Sequence, residues 1–170
     1  MQTNRPIIAI DPGYDRCGVA IMTEEHGKLV VVFSTCITTK KTESQEVRLA
    51  TIFRGIEEYI KTYNPSHLAL ETLFFSVNKK TALKVAEARG VILLLAGLHN
   101  MPLIEISPQK VKIALTGVGN ASKEQVQKMV SLTVSVTKKD VLDDEIDAIA
   151  LGVAGIQEIK QQNLGKGLAR

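Results

Sequence analysis

The sequence predicts a single α/β domain, a five-stranded mixed sheet flanked by helices. Three observations carry this expectation. The N-terminal part of the chain holds three β-branched runs separated by turn material. Beyond it, helical stretches alternate with short apolar runs, the order that builds parallel strands. Finally, 170 residues with 45% hydrophobic content are enough to bury one core.

The elements follow in order. Residues 7–10, 18–23 and 29–38 read as a β-meander, divided by Pro12-Gly13 and His26-Gly27. An apolar-periodic, acid-rich stretch over 43–63 predicts a helix ended by Asn64-Pro65. The fourth strand is 67–71. A second long helix spans 78–100 and tolerates Gly90 at a cost of about 1 kcal/mol against alanine. The fifth strand is 102–106. Ser107-Pro108 opens the next helix, since proline suits a first turn, and Thr116-Gly117 closes it. Ser122 and Gln125 have the spacing of a capping box. The preceding Gly117-Val-Gly-Asn120 is either an interhelical turn or a loop whose amides face an anion. The last helix runs over 143–162. One domain thus covers 1–162, and 163–170 is a frayed basic tail.

Composition limits the function classes. Lys and Arg number 21 against 18 Asp and Glu, a net charge of +3 that by itself names no partner. The lysines do cluster, as Lys79, Lys80 and Lys84, as Lys110 and Lys112, and as Lys138 and Lys139. Each cluster reads as a solvated face or as phosphate contacts. Cys17 and Cys36 lack metal or redox spacing and read as free thiols in a reducing compartment. The N-terminus has no secretory form, and the most apolar stretch, 91–98, is far below membrane-spanning length. A cytoplasmic protein with no membrane partner is expected.

The most informative residues are acids that the fold would gather. Asp11 closes the first strand, Glu71 closes the fourth, and Asp144 and Asp147 lie at the head of the last helix. A meander followed by helix, strand, helix, strand is the order of a ribonuclease H-like fold. There, strands one and four lie side by side with their carboxyl ends at the ligand crevice. Crowded carboxylates are costly unless cations neutralise them, and oxygen-ligated divalent cations in pairs cut phosphodiester bonds. Taken singly, Asp11-Pro-Gly is also a turn sequence, and Asp144 with Asp147 also a cap and a first-turn acid. Around the last helix Asp144 and Asp147 stand about 60° apart and Asp143 and Asp147 about 40°, so spacing does not choose Asp147's partner.

Five segments then resemble a known family. Ile8-Ala-Ile-Asp-Pro-Gly13, Leu68-Ala-Leu-Glu-Thr-Leu-Phe74, Ala82-Leu-Lys-Val-Ala-Glu-Ala-Arg-Gly90, Val111-Lys-Ile-Ala-Leu-Thr-Gly-Val-Gly119 and Asp144-Glu-Ile-Asp-Ala-Ile-Ala150 look like the successive motifs of the RuvC Holliday junction resolvases, in order over nearly the whole chain. The resemblance implies a homodimeric endonuclease that nicks opposing strands of four-way junction DNA, using two Mg2+ ions per site with Mn2+ as a substitute. It also implies the RuvA–RuvB branch-migration complex as partner. It places the catalytic, metal-holding acids at Asp11, Glu71, Asp144 and Asp147, choosing Asp144 over Asp143, and the catalytic lysines at Lys112 and Lys123. The junction-contacting aromatic falls on Phe74, with Phe75 doubling it. Lys79, Lys80, Lys84 and Lys110 are further DNA-binding candidates. The rival readings are a YqgF-like RNA-processing nuclease of the same fold, a non-catalytic junction-binding module, which leaves the acids unexplained, and an actin-like nucleotide-binding domain, which needs a second domain.

Overall fold

The expected meander forms as β1 (Ile7–Asp11), β2 (Arg16–Glu25) and β3 (Lys28–Thr38), all antiparallel. His26 and Gly27 both take positive φ, 51° and 77°, and Glu25 faces Lys28 across the turn. This two-residue connection matches the twist of the strands it joins. The structure is a computed structural model and describes residues 5–72, 79–135 and 140–168. The predicted aromatics Phe74 and Phe75 lie outside the described residues, as do Lys138 and Lys139.

After the meander come α1 (Gln45–Tyr63), β4 (Leu68–Glu71), α2 (Lys79–Leu98), β5 (Leu103–Ile106), α3 (Pro108–Thr116), α4 (Lys123–Thr133), β6 (Val134–Ser135) and α5 (Asp143–Leu168). Helix ends follow the local chemistry. Asn64 adopts the left-handed conformation and its amide returns to Ile60 O at 2.9 Å. Ser107 caps α3, with Pro108 in the first turn and Gly117 in the left-handed cap. Both halves of the Ser122–Gln125 capping box are present, at 2.8 and 3.3 Å.

The sheet order is β5-β4-β1-β2-β3-β6, with β1/β4, β4/β5 and β3/β6 parallel. It therefore has six strands, where five were predicted. The additional strand, β6, is two residues long, too short to display any alternation, and only its pairing with Leu29 and Val30 defines it. The last helix also continues through Leu168 instead of fraying after Gln162. Gly165 and Gly167 weaken a helix by about 1 kcal/mol each but carry no stop signal such as proline. Among the described residues, no helix is long and apolar enough to cross a membrane.

Strand alternation divides the core. Ile8 and Ile10 of β1 and Leu68 and Leu70 of β4 face α1 and α2, with Ile52, Ile56, Ile92 and Leu95. Ile7, Ala9 and Ala69 face α5, with Ile149 and Val153. The same parity turns Asp11 and Glu71 towards α5.

Two contacts seat that helix. Buried Ser34 of β3 donates to Glu145 Oε2 at 2.7 Å. At Gly18 of β2, a Cβ would fall on the Asp144 carbonyl oxygen, so the helix start rests directly on the strand. Gly18→Ala is expected to cost about 1–3 kcal/mol by overpacking and to displace the acids of α5. A urea melt superposable on the wild type would contradict this seating.

Candidate active site

The parallel register Ile8↔Leu68, Ala9↔Ala69, Ile10↔Leu70 brings Asp11 and Glu71 to neighbouring strand ends. Above them, the first turns of α5 present Asp144 and Asp147. Burial, reinforced by the charges of Glu71, Asp147 and Asp144, pushes the Asp11 carboxyl up to about 7, against the opposing charge of Lys123. Burial and the Asp147 charge also raise Glu71 above the usual carboxylate range. The charges of acids from β4 and α5 thus reach Asp11 at the end of β1. Asp143 is exposed and is not among the charges that raise Asp11. Of the two neighbours, Asp144 is the one whose charge reaches Asp11.

A cavity of about 250 Å3 opens at this point, lined by Asp11, Glu71, Asp147, Lys112 and Lys123, with Val111, Val126 and Leu151 forming an apolar wall. Lys123, the first residue of α4, is aimed by the capping box and donates to Asp147 Oδ2 at 2.9 Å. That bond holds the lysine above its ordinary pKa. Lys112 reaches the cavity from α3. Lys110, on the same helix, pairs with Glu158 at 3.1 Å and does not line the cavity. Lys84 is exposed on α2, its Nζ 5.1 Å from the Tyr14 ring centre. Lys79 and Lys80 begin α2, but their side chains lie outside the described residues.

The sequence reading missed Arg16. This first residue of β2 forms an ion pair with Asp144 at the edge of the acid cluster. A single arginine opening a strand carries no pattern of its own, and only the fold brings it to α5. With Asp144 turned to Arg16 and Asp147 to Lys123, no three ligating side chains among the described residues meet at one point. The donors are nonetheless all hard carboxylate oxygens, and burial together with the neighbouring acids raises Asp11 and Glu71, so their ionised forms are disfavoured without a further cation. Such a donor set fits Mg2+ or Mn2+.

The family model for the crossover junction endodeoxyribonuclease RuvC matches residues 7–155. The chain belongs to the RuvC family. RuvC from Brachyspira hyodysenteriae is 42% identical over 147 residues, covering 86% of this chain and 91% of the relative. RuvC from Moorella thermoacetica is 43% identical over 147 residues, covering 86% and 88%. Thermus thermophilus RuvC superposes with a TM-score of 0.84 at 25% identity, covering 92% of this chain and 96% of the other. The structure of T. thermophilus RuvC in complex with Holliday junction substrate gives 0.82 at 26% identity, covering 88% and 92%. The fold is the ribonuclease H-like fold of RuvC. The RuvC match spans all four acids, Lys112, Lys123 and Arg16.

Proposed function

We infer that this chain is a Holliday junction resolvase, a structure-selective endonuclease of homologous recombination and DNA repair. The observation that carries this reading is the half-buried Asp11 carboxyl, which shares one cavity with Glu71 and Asp147 and feels the charge of Asp144 beside it, in a chain that matches RuvC along most of its length. Asp11, Glu71, Asp144 and Asp147 would hold the divalent cations, two Mg2+ per site, with Mn2+ able to substitute. Bound there, magnesium would supply Lewis acidity and lower the pKa of a water for in-line attack on the phosphodiester. Lys112 and Lys123 orient the scissile phosphate from α3 and α4 and offset the charge that develops on it. The apolar wall of Val111, Val126 and Leu151 lowers the local dielectric and strengthens both effects.

Lys79, Lys80 and Lys84 on α2 supply non-specific backbone contacts. Lys110 adds one if its pair with Glu158 opens. Phe74, with Phe75 beside it, stacks on an unpaired base at the branch point. The active species is a homodimer, since a four-way junction has two-fold symmetry and paired nicks need an isologous pair of sites. Leu94 and Leu98 of α2 and Leu103 at the β5 edge, 55%, 61% and 38% exposed, supply an apolar surface for it. Sedimentation at micromolar concentration should give a dimer, and monomer alone with and without junction would contradict the assignment. Family membership also points to the RuvA–RuvB complex as partner and to the cytoplasm as the compartment.

Lys112→Ala and Lys123→Ala should each lower the single-turnover cutting rate by about a hundredfold while changing junction affinity much less. A loss confined to affinity would place both lysines outside the chemistry. The reading as a whole is tested on a four-way junction, a linear duplex and an RNA of matched sequence. Symmetric paired nicks on the junction are expected, with duplex cut at least about tenfold more slowly because it must unstack to offer a base. Preferential cutting of RNA would instead favour a YqgF-like enzyme.

A further inference from the structure

Two of the four acids already have cations of this chain beside them. Lys123 holds Asp147 inside the catalytic cavity, and Arg16 holds Asp144, whose charge reaches Asp11. The Arg16–Asp144 pair is open to solvent, with the two side chains 47% and 25% exposed, so exchange of partners needs no core rearrangement. Arg16 also lines a second cavity, of about 310 Å3, with Gly13, Tyr14, Asp15 and Lys84. The charge of Asp15 there is already engaged. Arg48, buried with its guanidinium 3.6 Å over the Tyr14 ring, contacts one carboxylate oxygen, and Lys41 stands 3.7 Å from the other. Arg16 and Lys84 therefore give this second cavity a positive character, directly beside the acid cluster.

We propose that Arg16 is an exchangeable counter-ion. It holds Asp144 while the acid cluster lacks a divalent cation, and it passes to a DNA backbone phosphate, at the cavity it shares with Lys84, once Asp144 takes up metal. This rests on the reading of the acids as a metal site. A guanidinium fits both partners, since carboxylate and phosphate oxygens present the same forked geometry to it. While paired, Arg16 competes for Asp144. Once released, it adds a phosphate contact close to the scissile bond, so metal uptake and DNA engagement support each other.

The test is Mn2+ titration of the DNA-free protein, followed by junction binding across a salt series, for wild type, Arg16→Ala, Arg16→Lys and Asp144→Asn. Arg16→Ala should bind Mn2+ about fivefold more tightly, as removal of an exposed ion pair allows, and Arg16→Lys should stay near wild type. A purely structural role for Arg16 would weaken Mn2+ binding instead. In the presence of Mg2+, the junction affinity of Arg16→Ala should be lower, with the salt slope shallower by about one. Should Arg16→Ala melt early, Arg16→Gln, which keeps the aliphatic stem, carries the same comparison. Mn2+ affinity equal to or below wild type, or an unchanged salt slope, overturns the proposal. If wild type takes up no Mn2+, or Asp144→Asn takes up as much, the metal reading fails and the proposal with it. If uptake is lost in Asp144→Asn but unmoved by Arg16→Ala, the proposal alone fails.

Discussion

Asp11→Asn is expected to abolish junction cleavage while making the metal-free protein more stable above neutral pH. Folding raises the Asp11 carboxyl from 3.8 to about 7, chiefly by burial. The folded chain therefore binds this proton more tightly than the unfolded chain. The associated stability is fully present below about pH 4 and is lost as pH rises through about 7. At pH 8 the ionised, half-buried group costs on the order of a few kcal/mol. An asparagine carries no such penalty. The melting temperature of wild type should fall from pH 5 to pH 8 relative to that of Asp11→Asn, and Mg2+ should restore the wild type but leave the variant unmoved. Parallel pH profiles, or a variant stabilised equally by Mg2+, would contradict the account of Asp11.

The second large effect separates two adjacent residues. Asp144→Asn should lower cutting by orders of magnitude, because a neutral amide is a poor substitute for a carboxylate on a hard cation. Asp143→Asn should be nearly silent. Asp144 raises Asp11 and pairs with Arg16, whereas Asp143 is exposed and acts on Lys123 but not on Asp11. Nicking of a synthetic junction in Mg2+ under single-turnover conditions reads both. Equal losses would mean that the head of α5 is turned differently about its axis.

These two residues also show how far the sequence was legible. The meander could be read because its turns are marked by Pro12-Gly13 and His26-Gly27, and Asp11 and Glu71 because each ends an apolar run that the ribonuclease H-like order makes adjacent. The partner of Asp147 could not be read from spacing, since a difference of about 20° around a helix lies within what packing adjusts. What fixes the setting of the helix start is long-range seating, with Gly18 under the Asp144 carbonyl and Ser34 on Glu145. Arg16 was invisible for a related reason. Its partner is remote in sequence, and charge pairing across such a separation leaves no periodic trace. Lys110 and Lys112 looked alike as neighbouring lysines, but helix geometry sends one to Glu158 and the other to the cavity.

The central claim is that these acids form one metal-dependent site that cuts four-way junctions. Its most direct test is end analysis of a synthetic junction incubated with wild-type protein, first in EDTA and then after Mg2+ is restored. The account predicts no cutting in EDTA and, with Mg2+, paired nicks bearing 5′-phosphate and 3′-hydroxyl ends. Cutting that persists in EDTA, or nicks with 3′-phosphate ends, would contradict it.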